Sequence, residues 1–190
     1  MKLADLYPFV VPHVIDMPLP LVDLHIRKAA TEFFRRTHAW QLDLDSFAFE
    51  EGKVSYDLGG PTGADVVKVL SVLANGDDYV KATKFVDGLT LVFDEHTSPQ
   101  AAAQVTARVA LTPRVGDITK GWSLPSELDQ YAWDIAQGAI AYALATKPGG
   151  LQEASQYANE FRTRISTVGI KASREFASTR FSKPSTVQHF

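Results

Sequence analysis

The chain has 190 residues, a net charge of −3, 45% hydrophobic and 22% charged side chains, and no Cys. That length supports one domain with a real core, or one domain plus an appendage, and the composition is that of an ordinary globular protein. The missing Cys removes disulfides, thiolate nucleophiles and Cys-ligated zinc together; no apolar run has membrane-spanning length, and the slight negative charge argues against a general nucleic-acid binder. Met1-Lys2-Leu3-Ala4-Asp5 carries an acid where a signal peptide would carry its hydrophobic stretch, which predicts mature sequence, and the missing Cys suits folding in the cytoplasm. The charge is uneven. Residues 1–150 hold 13 basic and 19 acidic side chains, net −6, and residues 151–190 hold 6 basic and 3 acidic, net +3.

Leu3 to Val11 is apolar and allows a short helical turn or two. Pro12, Pro18 and Pro20 make 12–20 an extended connector, because each Pro disfavours helix in the residue before it. From Leu21 the pattern is helical. Val22, Ile26, Ala29 or Ala30, Phe33 and Phe34 form an apolar stripe opposite Arg27, Lys28, Glu32, Arg35 and Arg36, and the helix ends around Thr37 to Ala39.

The period then changes. Leu42, Leu44, Phe47 and Phe49 alternate with acids as in a half-buried strand, and Glu51-Gly52 signals a turn. Val54–Leu58, Val66–Leu73, Leu89–Phe93 and Gln104–Leu111 read as further strands, while Tyr79–Val86 is ambiguous. Four to six short antiparallel strands at this spacing predict a small sandwich or barrel-like sheet. There is no internal repeat and no low-complexity segment.

The rear of the chain is a predicted helical hairpin. Its first helix runs from about Pro125 to Thr146, with Leu128, Ala132, Ile135, Ala139 and Ala143 on one side and Tyr131, Gly138 and Tyr142 beside them. Lys147-Pro148-Gly149-Gly150 breaks the chain. The second helix runs from about Leu151 to Phe176 with the stripe Ala154, Ala158, Phe161, Ile165, Val168 and Ala172. The fold class expected is therefore α+β: a helical bundle made of the front helix and the C-terminal hairpin, with a small antiparallel β domain inserted and an extended C-terminal tail. The expected units are 1–39, arm and front helix; 40–121, β domain; 122–177, hairpin; and 178–190, tail.

Candidate chemistry is sparse. His13, His25, His38, His96 and His189 form no HxH or HExxH pattern, so zinc has no support. Asp94-Glu95-His96 has the residue types of an acid/base or metal cluster, but follows a strand and precedes Thr97-Ser98-Pro99, as a solvated loop does. Gly59-Gly60-Pro61-Thr62-Gly63 lacks the Gly-Lys-Ser/Thr of a phosphate loop and reads as a turn. Asp43, Asp45, Glu50 and Glu51 form an acidic group; Asp43 and Asp45 share a strand face that suits a cation or, more simply, a polar outer surface. Arg162, Arg164, Lys171 and Arg174 recur along one helix, either as a solvated face or as a basic face for an acidic partner or DNA. Trp40, Trp122 and Trp133 mark element junctions and read as packing residues. No catalytic residue, no metal and no cofactor are expected.

Leu3-Ala4-Asp5-Leu6-Tyr7-Pro8-Phe9-Val10, a Pro-rich link, and Ile26-Arg27-Lys28-Ala29-Ala30-Thr31-Glu32-Phe33-Phe34-Arg35-Arg36-Thr37 leading to Trp40 resemble the start of head-to-tail adaptor (connector) proteins of tailed bacteriophages. The Tyr56-Asp57-Leu58 strand, the Val66–Leu73 strand, Trp122-Ser123-Leu124-Pro125 and the hairpin ending near Phe176 continue the resemblance up to about residue 180. These are packing and turn signals rather than catalytic signatures, and Phe34 stands where such proteins often carry a small residue or Cys. The resemblance implies a helical bundle with a β domain, assembled in the virion neck as a twelve-membered ring under the portal protein. There it would extend the DNA channel, touching DNA only in passage, and dock the next tail component, a nozzle or a tail tube or fibre protein. It implies a structural protein made in the host cytoplasm, with no membrane role. A tail-completion or capping factor at another level of the neck, and a small metal-dependent hydrolase using Asp94-Glu95-His96, are the competing expectations.

The tail carries Arg180, Phe181, Lys183, Val187 and Phe190 among small polar residues. It has too little apolar surface to fold alone and too many aromatics for an inert segment. These five residues are the expected portal-binding set, ordering as they bind.

Overall fold

The computed structural model describes residues 1–51, 53–58, 60–75, 78–79, 82–86, 90–93, 102–114 and 123–181. Short turns open the chain: 3-10 segments at Leu3–Leu6 and Val11–His13 flank α1 (Tyr7–Val10). Leu6, Val10 and Val14 pin this arm to the core and are fully buried. The connector is thus less extended than the prolines predict. Pro12 lies inside a 3-10 turn, and Pro20 lies in the first turn of α2 (Leu19–Thr37), where a missing N–H costs nothing.

Helix α2 buries the predicted stripe: Val22, Ile26, Ala29, Ala30, Phe33 and Phe34 are all at most 1% exposed. Phe34 packs edge-on against Trp40 and Tyr131, so the aromatic fills the junction of helix and hairpin. The helix ends without glycine. His38 takes the left-handed conformation at φ 52°, its N–H donating to Phe34 O at 3.0 Å, and Thr37 Oγ1 donates to Phe33 O at 2.8 Å.

Two antiparallel sheets follow, built from β1 (Gln41–Asp43), β2 (Phe47–Ala48), β3 (Ser55–Asp57), β4 (Ala64–Ala74), β5 (Asp78–Tyr79), β6 (Ala82–Val86), β7 (Thr90–Phe93) and β8 (Gln104–Pro113). One sheet has the order β1-β8-β4-β5, with β2 also pairing β8; the other is β3-β7-β6. The single strand predicted from Leu42 to Phe49 is interrupted at Leu44-Asp45-Ser46, yet Leu44 N–H still donates to Ala107 O at 2.9 Å, so the segment stays beside β8. The ambiguous Tyr79–Val86 stretch is strand on both its described sides, β5 and β6. Phe49, Tyr56 and Phe93 meet at ring distances of 5.5–5.8 Å and join the two sheets. Strand β4 carries two register shifts against β8, and the first leaves Lys68 exposed toward the end of α2.

Helix α2 lies on β8: Thr112 Oγ1 donates to Thr31 O at 3.1 Å, and Leu111 N–H to Trp40 O at 2.8 Å. One continuous apolar core therefore runs from the arm through the bundle into the sheets, and the inserted β unit shares it.

The hairpin is α3 (Ala132–Ala145) and α4 (Leu151–Phe181). The segment before α3, Ser126–Tyr131, is 3-10 rather than the predicted α-helix. Three residues per turn put Leu128 and Tyr131 on one side, and Tyr131 reaches Phe33 at 5.2 Å. Helix α3 is apolar nearly all round and central to the bundle. Helix α4 buries Ala154, Phe161, Ile165, Val168 and Ala172 of the predicted stripe, while Ala158 is only half-buried. The connection is tight: a Cβ on Gly150 would stand 2.4 Å from Leu144 O, so only glycine fits there. The first residues assigned to the tail belong to α4. Ser178–Phe181 are helical, because no Gly or Pro intervenes between Gly169 and Pro184 to stop α4.

Candidate docking surface

Arg162, Arg164, Lys171 and Arg174, read from the sequence as either a solvated or a basic face of α4, are divided in the structure. Arg162 and Arg164 stand two residues apart, about 160° around the helix. Arg164 turns to α3, where its Nε donates to Asp134 Oδ1 at 2.7 Å and its Nη2 to Oδ2 at 3.2 Å. The Asp134 side chain is 3% exposed, so this guanidinium neutralises a buried carboxylate inside the hairpin. Asp134 raises the affinity of Arg164 for its proton through those bonds. Arg164 therefore serves the fold through Asp134, while half of its side chain stays exposed. Lys171 lies 3.7 Å from Glu175, both exposed, and Arg162 Nη1 reaches Asn159 Oδ1 at 3.5 Å.

Arg174 points elsewhere. It lines a cleft of about 770 Å³ between the end of α2 and α4, together with Arg36, His38 and Lys68. Ile165, Gly169 and Ile170 of α4 contribute apolar surface to the same cleft. None of the described residues lining it is acidic. Arg36 keeps one bond to Glu32 at 3.1 Å on the outside. Lys68 and Arg174 have no ion-pair partner among the described residues. Burial, and then the charge of Lys68, hold the His38 imidazole below the usual histidine range, so it is neutral near pH 7. The cations come from positions 36, 68 and 174. No local sequence pattern links these positions; only the register shift in β4 and the left-handed end of α2 bring them together.

Of the expected portal-binding set, Arg180 and Phe181 lie in the last turn of α4, whereas Lys183, Val187 and Phe190 lie outside the described residues. Asp94-Glu95-His96, Trp122 and His189 lie outside them as well. Among the described residues no cluster of His, Asp and Glu is arranged to hold a metal ion. Asp43 is engaged: Arg108 Nε and Nη2 each donate to it at 2.6 Å, across β1 and β8, and hold its carboxyl below the usual carboxylate range. Asp43 thus lies on a polar outer surface, whereas Asp45 lies in the break between β1 and β2 and does not share its strand face. Pro61–Gly63 forms the predicted turn, with Ala64 N–H donating to Pro61 O at 3.2 Å. His13 Nδ1 lies 3.0 Å from Tyr157 Oη, and burial, then Lys28, push His25 below the usual histidine range. Trp40 is core, while Trp133 is half exposed and packs edge-on against Phe9 at 5.9 Å.

A comparison with protein-family models and with curated proteins found no match. Among the described residues no helix is long and apolar enough to cross a membrane.

Proposed function

We propose that the chain is a structural virion protein, an adaptor ring joining the portal to the tail of a bacteriophage and extending the DNA channel. The observation that carries this reading is the element order. An N-terminal arm and front helix, an inserted antiparallel β unit and a long helical hairpin follow one another as the resemblance of Leu3–Val10, Ile26–Thr37 and Ser123–Phe176 implies. The hairpin adds support. Its one deeply buried acid, Asp134, serves to hold α4 against α3, which suits a rigid assembly unit. About twelve copies would close by rotation through heterologous contacts. The test is electron imaging of the purified chain alone and mixed with its portal protein. Rings that cap the portal are expected; a chain that stays monomeric and leaves the portal bare would overturn the proposal. Replacing Asp94, Glu95 and His96 together by Ala is expected to leave assembly and infectivity nearly intact. Normal assembly with lost infectivity would favour the hydrolase.

A further inference from the structure

The turn before α2 is built to project. Met17 N–H donates to Val14 O at 2.8 Å, which closes a tight turn with Ile15 and Asp16 at its centre. Val14, 1% exposed, anchors it. Ile15 is 78% exposed, more than any other large apolar side chain among the described residues, and Asp16 beside it is exposed with no ion-pair partner among them. An exposed apolar side chain next to an unpaired carboxylate, held on a rigid turn, is a ready-made plug.

The cleft at the other end of α2 has the complementary chemistry. Its open apolar surface is Ile170, 54% exposed, beside the buried Ile165, and its lining includes Lys68 and Arg174, cations with no ion-pair partner among the described residues. The 19 residues of α2 separate turn and cleft by about 28 Å, at a rise of about 1.5 Å per residue, so a chain cannot fill its own cleft. A second copy can. A contact made by two different patches at opposite ends of one molecule is heterologous; it closes into a ring where the rotation between copies allows and runs on as a filament where it does not.

We infer that the Ile15-Asp16 turn of one copy seats in the cleft between α2 and α4 of the next, with Ile15 on Ile170 and the Asp16 carboxylate between Lys68 and Arg174. The inference rests on the proposed self-assembly and names its contact. Apolar surface and cationic lining together favour this plug over a bare phosphate, which would gain nothing from Ile170.

The experiment is sedimentation velocity on the full chain, with thermal unfolding as the folding control. Asp16→Arg and Arg174→Glu should each weaken assembly at least about tenfold, and the double variant should recover most of it, because reversing both charges restores attraction. Ile15→Ser should weaken assembly at any salt concentration, whereas the charge variants should matter most at low salt. If the unmodified chain stays monomeric, this contact and the ring reading both fall. If it assembles and the folded single variants assemble equally well, or the double variant recovers nothing, the contact alone is wrong. Binding of short duplex DNA that Arg174→Glu abolishes without touching assembly would also overturn it and assign the cleft to phosphates.

Discussion

Gly138 on α3 faces Phe161 on α4 so closely that a Cβ on it would stand 2.7–2.9 Å from three atoms of the ring. The ring has little room to retreat, because Phe161 is 4% exposed and stacks on Phe33 at 6.2 Å. The two helices therefore approach at a point where α3 carries no side chain, and the large residue of α4 fills the space.

Gly138→Ala tests that contact by setting two effects against each other. Helix propensity favours Ala by about 1 kcal/mol, whereas overpacking a dense core costs roughly 1–3 kcal/mol. The core effect should win, and chemical denaturation should show net destabilisation. Adding Phe161→Leu should make Gly138→Ala less costly than it is alone, since the smaller side chain yields. Stabilisation by Gly138→Ala in the unmodified background would mean that the helices stand further apart.

The pairing of Arg164 with Asp134 is asymmetric, and mutations should reveal it. Arg164→Ala leaves a carboxylate that is 3% exposed without its guanidinium, while Asp134→Ala leaves a guanidinium that is 50% exposed and free to meet water. Losing a hydrogen-bonded partner of a buried charge costs on the order of 1–3 kcal/mol. Asp134 sits in the first turn of α3, so its own removal also loses a helix-dipole contribution of about 0.3–1 kcal/mol. Arg164→Ala should be the more damaging of the two in urea unfolding, and the double variant should cost less than the sum. Equal effects would place Asp134 in water rather than in the hairpin.

The sequence carried the helical part of this fold well, because each stripe is a local period: Val22 to Phe34 on α2 and Phe161 to Ala172 on α4 are buried as the spacing predicts. It carried the sheets less well. Leu42 reads as a core residue of an alternating strand and is 41% exposed, since pairing with β8 rather than local alternation decides which face meets the core. The four basic residues of α4 are divided for a related reason. Spacing along α4 groups Arg162, Arg164, Lys171 and Arg174, but Asp134 on another helix claims Arg164, and the cleft recruits Lys68 from a strand about a hundred residues earlier. The position of α4's end was missed because the apolar period fades before the helix does.

Stability should fall in two acid steps. His25 and His38 are held below the usual histidine value of 6.5 by burial first and by Lys28 and Lys68 second. As pH falls below about 6.5 the unfolded chain takes up these protons before the folded one, so stability present above that pH is lost below it. Asp43 acts lower: Arg108 depresses its carboxyl below 3.8, so its contribution is present above that value and is lost as pH falls through the folded pKa. His38→Asn keeps a residue that tolerates the left-handed end of α2 and should flatten the first step in thermal melts between pH 7 and 5. Asp43→Asn should leave that step unchanged and act on the acid side of it. A first step of the same size in His38→Asn would assign it to His25.

The last prediction concerns the end of the chain, where the expected docking residues divide between helix and tail. Arg180 and Phe181 complete α4, so a cut after Phe176 removes helix as well as tail, and a cut after Phe181 removes the tail alone. The residues beyond Phe181 include Lys183, Val187 and Phe190, too few apolar groups to fold unaided, so their energy is realised on a partner. A ring makes such a contact many times over, and a modest affinity per copy then suffices. The chain ending at Phe181 should melt within a degree or two of the full chain, since no residue removed belongs to the described core. It should lose cosedimentation with purified portal protein, and Phe190→Ala in the full chain should weaken that binding. Cutting after Phe176 should lower portal binding no further if Lys183, Val187 and Phe190 make the contact, and should abolish what remains if Arg180 and Phe181 share it. Full retention of portal binding by both truncated chains would move the docking site onto the bundle, where Arg162 and the cleft carrying Arg174 are the exposed cations to mutate next.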